Sequence, residues 1–328
     1  MIGTLAIGTL LTSYARADDE RQLVDSKESL YNNIYVYKQG DDYAMTFGYN
    51  RKIYTESIYN SKDDRDLPVS YTRYMTASLI YAKDVHSILE IGFGGGRTSW
   101  YLHRFLPGVS VTSVELDPDV AALAKKYFGI KDEPNFHLVN QDGRLFLQQS
   151  KDKYDIVLID AYRGPFVPFH LLTKEFYQLV KDHLSPGGVV GQNVEPSTML
   201  FDSAVKTIQS VFPNTDFYVA DGNVVTVAYD GPVRDQADLE KSAKQRQLEL
   251  GLRYQLPTML AQRRGLDASS IDKGAKLLTD DFAPVEALKA IENHNRKWAD
   301  PATGTPGVQG DGAGTGAAGD GAPAASGK

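Results

Sequence analysis

The sequence predicts an α/β fold whose mostly parallel sheet ends in an antiparallel hairpin, with a small N-terminal β-meander in front. Three observations carry that expectation. Residues 84–230 alternate short apolar runs with amphipathic helical stretches, the pattern of a sheet covered on both faces. One run, Ser87-Ile-Leu-Glu-Ile-Gly-Phe-Gly-Gly-Gly-Arg-Thr98, passes from a buried strand straight into Gly92, Gly94, Gly95 and Gly96 and then into helical spacing. The next three runs close on Glu115, on Asp142-Gly143 and on Asp160, so successive strands bring glycine or a carboxylate to one edge, where open α/β sheets bind ligands.

In chain order, residues 1–17 are apolar and end Ala15-Arg16-Ala17 before Asp18-Asp19, which resembles a small-residue cleavage site. No Lys or Arg precedes the apolar part, and the run is short for a membrane-spanning helix. It reads as a signal or anchor remnant in preference to a frayed helix. A β-meander is expected over 26–68, from tyrosine-rich runs at 30–37, 43–47 and 51–55 separated by Gly40-Asp-Asp42 and Gly48-Tyr-Asn50. Residues 70–83 read as one helix with Tyr71, Tyr74, Met75, Ser78 and Leu79 on a shared face. They open a nucleoside-binding domain spanning 70–232.

Within that domain one helix boundary is written clearly: Asp117 as N-cap, Pro118 in the first turn, Lys125 and Lys126 in the last, Gly129 as terminator. Further helices are expected over 170–184 and 198–212, and a strand over 188–193. The runs 216–220 and 224–229 flank Asp221-Gly222-Asn223 closely enough to pair as the closing hairpin. A helical extension follows over 233–298, with Leu239, Leu248, Leu252, Leu256 and Leu260 as its inner side. Residues 299–328 are nearly all Gly, Ala, Pro, Thr and Asp and cannot bury enough apolar surface to offset chain entropy, so they are expected to be disordered.

Bulk properties exclude several function classes. The formal net charge of −7 argues against nucleic acid and anionic lipid as partners and permits a cationic ligand. There is no cysteine, which removes disulfides, thiolate catalysis and thiolate metal sites. The six histidines show no ligand spacing, and no metal is expected.

The chemistry concentrates at the glycine stretch. Glycines at a strand-to-helix turn let backbone N–H groups approach a ligand where any Cβ would collide. Glu115 stands 23 residues after Gly92, where an acidic side chain takes both ribose hydroxyls of a nucleoside. Asp142 admits two readings, a ligand carboxylate or the N-cap of the next helix. Asp160, at a strand's carboxyl end beside the glycines, is the candidate for chemistry.

With these residues in place the chain resembles the spermidine synthase (polyamine aminopropyltransferase) superfamily, nearest to bacterial spermidine-synthase-like proteins including a transporter-fused group. The likeness rests on Ser29-Leu-Tyr-Asn-Asn-Ile34, Tyr71-Thr-Arg-Tyr-Met75, Ile91-Gly-Phe-Gly-Gly-Gly96, Val114-Glu-Leu-Asp-Pro118, Asp142-Gly-Arg144, Asp160-Ala-Tyr162, Val167-Pro-Phe-His-Leu-Leu-Thr-Lys-Glu175 and Leu278-Thr-Asp-Asp-Phe-Ala-Pro284. The resemblance implies a methyltransferase-like Rossmann fold behind the meander, a homodimer, and S-adenosylmethionine or its decarboxylated form as co-substrate. By the same resemblance, Gly92, Gly94 and Gly96 cradle the methionine-derived part. Glu115 holds the ribose, Asp142 with Gly143 the adenine, and Asp160 and Tyr71 stand at the reacting centre. Gln192 lies near a strand end taken to face the site.

The chain also departs from the family pattern. Gly95 replaces an Asp that grips the aminopropyl amine, Arg163 replaces a second Asp, Asn32 a Gln, and Arg73 an acidic residue. Arg163 suits a carboxylate and Gly95 is read as leaving room for one, which favours intact S-adenosylmethionine or an acidic acceptor. Asp280 and Asp281 restore acidity if they fold over the pocket; otherwise they cap or solvate a turn. The leading expectation is aminopropyl transfer to an amine acceptor. The alternatives are methyl transfer to a small amine or acid, or nucleoside binding without turnover. The co-substrate favours a cytoplasm-facing protein, whereas residues 1–17 point to export or anchoring, and membrane contact is expected only through that segment.

Overall fold

In the computed structural model, residues 20–49, 52–163, 166–198, 200–265 and 274–281 are described. The segment 1–17, the tail 299–328 and the Phe282-Ala-Pro284 end of the last motif lie outside them, as does most of the second half of the 233–298 extension. Four strands, β1 (Gln22–Glu28), β2 (Asn33–Gln39), β3 (Asp42–Tyr49) and β4 (Lys52–Asn60), form the antiparallel meander. Strand β1 starts earlier than the sequence pattern suggests. Its residues are mostly polar on both faces, so no alternation marks it, and pairing with β2 supplies its order. Leu30, expected within a strand, is exposed in the turn between β1 and β2.

The expected helix over 70–83 is two short ones, α1 (Ser70–Met75) and α2 (Ser78–Tyr81). Threonine hydroxyls explain the break. Thr72 Oγ1 donates to Val69 O and Thr76 Oγ1 to Arg73 O, each at 2.6 Å, drawing carbonyls away from the helical ladder.

The main sheet holds β5 (Ser87–Ile91), β6 (Ser110–Glu115), β7 (Phe136–Asn140), β8 (Tyr154–Ile159) and β9 (Leu184–Val194), all parallel. The expected hairpin follows: β10 (Asn214–Ala220) pairs antiparallel with β11 (Asn223–Tyr229), and β11 with β9. A two-residue strand, β12 (Arg264–Gly265), joins β10, giving the spatial order β12-β10-β11-β9-β8-β5-β6-β7.

Helices cover both faces. On one lie α1, α2, α3 (Arg97–Phe105), α4 (Pro118–Tyr127) and α8 (Gln236–Leu250), in one apolar cluster with Ile34, Val36, Met45 and Phe47 of the meander. On the other lie α5 (Gly143–Gln149), α6 (Lys174–Asp182) and α7 (Phe201–Val211). Helix α4 forms as written: Asp117 accepts from Asp119 N at 3.0 Å, and Val120, Leu123 and Ala124 are buried. The helix expected over 170–184 is a 3-10 turn (Phe169–Leu171) and then α6, capped by Thr173.

Helix α8 stops at Gly251, whose φ of +55° ends it in the left-handed region. A short α9 (Leu256–Ala261) follows. Leu239, Leu252, Leu256 and Leu260 are buried as expected, but Leu248 is 86% exposed. α8 buries Leu239, Ala243 and Leu250, and at 100° per residue Leu248 falls on the opposite side.

Candidate functional site

Strand order reverses between β5 and β8: the chain runs outward through β6 and β7, then returns to β8 on the other side of β5. The glycine loop after β5 occupies that switch point, the position where open α/β sheets bind ligands. It is pressed against β8. Asp160 N donates to Ile91 O at 2.8 Å, and a Cβ on Gly92, at φ +91°, would stand 2.3 Å from Asp160 O. Gly96 (φ +70°) leads into α3, and a Cβ there would meet the Phe93 ring at 2.2 Å. Gly94 also has positive φ.

Glu115 ends β6 and grips the loop. Its Oε2 accepts from Phe93 N (2.9 Å) and Gly94 N (3.3 Å), and its Oε1 from Asp117 N (2.9 Å). Burial raises its pKa, against those three donors. Both oxygens are thus engaged by backbone, and a ribose diol would meet their remaining lone pairs.

Beneath the loop, Glu90 is buried and accepts from Ser113 Oγ at 2.9 Å. Loss of solvent pushes its carboxyl up to about 8, with Asp160 and Glu115 adding repulsion. Asp160 follows β8, with its Oδ1 accepting from Asn193 Nδ2 at 3.0 Å. Tyr71 of α1 aims its hydroxyl at Asp160 and at Glu56 O, 3.4 Å away. Burial raises Asp160 to about 6.

The meander closes the site from above. Ser57 of β4 accepts from Gly95 N at 2.9 Å. Next to it, Glu56 is held well above the usual carboxylate range by desolvation, then by repulsion from Asp160 and Glu115. Arg97 anchors this lid to the domain through Phe128 O (3.0 Å) and Asp64 O (3.3 Å), with its guanidinium 4.5 Å from the Tyr59 ring centroid.

Several expectations are corrected here. Gly95 leaves no room for a ligand carboxylate on its Cβ side, because a Cβ there would lie 2.5 Å from Ser57 Cβ and 2.9 Å from Phe128. Gln192 does not face the site. It is fully buried and accepts from Tyr177 Oη of α6 at 2.8 Å, so strand alternation turns Asn193 towards Asp160 instead. Asp142 caps α5 through Leu145 N (2.9 Å) and pairs with His170 Nε2 (2.9 Å), which lowers its pKa. Gly143 serves packing, since a Cβ there would stand 2.3 Å from Ile91 Cγ2.

Asp280 is bound by the Arg144 guanidinium, and its N–H donates to Glu175, so its charge is spent on tying the chain to α5 and α6. Asp281 is exposed beside it. Arg163 is exposed in the turn after β8, where its N–H donates to Phe166 O at 2.8 Å. Arg73 reaches back to Asp66 and Leu67 O, away from Asp160.

The structure therefore gathers Asp160, Tyr71, Glu115 and the glycine loop, and adds Glu56, Ser57, Glu90 and Asn193, which sequence reasoning missed. An acidic residue inside the strand run Tyr54-Thr-Glu-Ser-Ile58 was the available signal for Glu56. Among the described residues, none of Glu56, Glu90, Glu115 and Asp160 takes part in an ion pair. The same holds for metal centres: no cluster of His, Asp and Glu suited to one is present among those residues.

Residues 70–223 match the spermine/spermidine synthase domain family. A polyamine aminopropyltransferase of Vibrio vulnificus is 28% identical, over 86% of this chain and 95% of its own. The chain is thus similar to the polyamine aminopropyltransferases along most of its length and to the spermine/spermidine synthase domain over 70–223. The fold agrees: the crystal structure of a probable spermidine synthase from Corynebacterium glutamicum superposes with a TM-score of 0.63 at 18% identity, covering 80% of this chain and 98% of that one. A methyltransferase relative is also similar in sequence. A lysine and N-terminal methyltransferase homolog of Drosophila pseudoobscura is 30% identical over 63% of this chain, and the match spans 31% of that relative.

Proposed function

We propose that the chain transfers an aminopropyl group from decarboxylated S-adenosylmethionine to an amine acceptor. The observation that carries this reading is the set of four carboxyls at the glycine loop, with Glu56 and Glu90 each in the field of Asp160 and Glu115, and none of the four paired with a cation among the described residues. Burial raises their pKa values, with like charges adding to Glu56 and Glu90, and a bound cation favours the ionised forms. Decarboxylated S-adenosylmethionine brings a sulfonium and an ammonium, the acceptor brings another ammonium, and none of them brings a carboxylate.

In the reaction the acceptor nitrogen attacks the methylene carbon bonded to sulfur. A C–N bond forms, the C–S bond breaks, and its electron pair stays on sulfur as the neutral thioether methylthioadenosine. The acceptor enters as an ammonium and gives up one proton before it attacks, which frees its lone pair, and the product leaves as a secondary ammonium. Asp160 is the base: it lies at the end of β8 against the loop, and its raised affinity for protons suits the task. Tyr71 and Asn193 hold its carboxylate in place, and the loop with Glu115 orients the nucleoside.

A second reading, methyl transfer from intact S-adenosylmethionine, is favoured by the Drosophila relative. It would place the amino-acid carboxylate among carboxylates, with Arg163 exposed on its turn. Calorimetric binding of both nucleosides to the full chain decides between them. Preference for the decarboxylated form, with methylthioadenosine released on adding a diamine, is the expected result. Preference for the intact form moves the reading to methyl transfer, and binding of neither sinks both.

A further inference from the structure

Glu56 owes its place to a break in strand register. Met45 of β3 pairs with Ser57 and Thr46 with Thr55, so Glu56 is an extra residue with no partner opposite. Such a bulge bends the strand and re-aims the side chains around it, and bulges recur beside active sites. Regular alternation would have sent Glu56 and Ser57 to opposite faces. Here Ser57 meets the glycine loop while Glu56 lies in the field of Asp160 and Glu115.

The surroundings of Glu56 fit a cation with a hydrocarbon stem. Tyr71, nine-tenths buried, brings its hydroxyl within 3.4 Å of the Glu56 carbonyl. Tyr162 lies in the field of Asp160, Glu195 and Glu56, and its hydroxyl is buried against the Glu195 backbone. A hydroxyl both donates and accepts, so beside two carboxylates it offers a ligand's ammonium a further acceptor. Aromatic faces next to the carboxylates add attraction for an ammonium.

We propose that Glu56 is a specificity-determining residue for the acceptor, forming with Asp160 the anionic seat of the attacking amine, with Tyr71 and Tyr162 as its walls. This rests on the aminopropyl-transfer reading. It assigns the two carboxylates different tasks: Asp160 accepts the proton, while Glu56 holds the incoming ammonium. It also answers the departures in the sequence, because Glu56 supplies from the meander an acidic group that Gly95 and Arg163 no longer supply from the main domain.

The test uses the full chain as wild type, Glu56→Gln, Glu56→Asp and Asp160→Asn. Straight-chain α,ω-diamines of three to six carbons and butylamine serve as acceptors. Methylthioadenosine binding is followed by calorimetry, and diamine binding is then measured on the methylthioadenosine-loaded protein. Glu56→Gln is expected to raise the diamine KM at least tenfold and weaken diamine binding equally, with methylthioadenosine binding within twofold of wild type. Glu56→Asp recovers part of the loss. Asp160→Asn instead loses kcat. If Glu56→Gln leaves diamine KM and binding within twofold while wild type turns over, the assignment is overturned and aminopropyl transfer stands. If wild type binds neither nucleoside nor diamine, both fall. A loss of methylthioadenosine and diamine binding together in Glu56→Gln would make Glu56 a structural residue of the lid and also overturn the proposal.

Discussion

Two acidic regions lie along the same sheet edge, and they are built in opposite ways. Around α5, Asp142 is paired with His170 and Asp280 with Arg144, and each carboxyl is held below its ordinary pKa by its partner. Around the glycine loop, Glu56, Glu90, Glu115 and Asp160 have their pKa values raised, chiefly by burial. Paired charge holds elements together, whereas buried carboxyls without a cation hold on to protons that a cationic ligand displaces. The difference separates the residues that tie the chain down from those that work on substrate, although both sets look alike in the sequence.

The comparison breaks most sharply at Asp160. Asp160→Asn is expected to lower kcat by roughly 10²–10⁴, the usual contribution of a positioned base, with nucleoside binding retained. Because the Asp160 pKa is raised to about 6, the carboxyl is protonated below that pH and cannot take a proton. Wild-type kcat/KM should therefore rise through pH 6 with one proton, about two units above an unperturbed carboxylate, and the residual activity of the variant should lose that limb. A wild-type profile flat from pH 5 to 8 would remove Asp160 as the base.

The next effect is on stability. Glu90 keeps its proton in the folded protein up to about pH 8, whereas the unfolded chain releases it near the ordinary value. The folded state thus binds more protons between those limits, and its stability falls as pH rises from about 4.5 to 8. Glu90→Gln removes this titration. Its stability relative to wild type should improve by on the order of a few kcal/mol between pH 5 and 8.5, read from denaturant unfolding. An unchanged difference across that range would mean that Glu90 is ionised in the fold.

The smallest effect belongs to the paired region. Arg144→Ala breaks a partly exposed ion pair with Asp280 and should cost at most about 1 kcal/mol, without changing the acceptor KM. A tenfold change in that KM would place Asp280 in the working set after all.

Elements set by residues close together in the chain were legible: the glycine loop, the Asp117-Pro118 helix start, the closing hairpin, and the carboxylates Glu115 and Asp160 at strand ends. These follow from periodicity, caps and turn chemistry, which act over a few residues. The break between α1 and α2 and the exposure of Leu248 escaped because helical pattern says nothing of where a hydroxyl competes for a carbonyl or which face meets the core. The mostly parallel sheet with its closing hairpin, the position of the loop and the resemblance to the spermidine synthase superfamily were legible in the sequence alone. The choice of Asn193 over Gln192, the filling of the Gly95 side by Ser57, the capture of Asp280 by Arg144 and the turn of Glu56 into the recess were decided only in the tertiary structure. Each depends on register, on a bulge, or on contact between groups far apart along the chain, and local pattern carries no information about those distances.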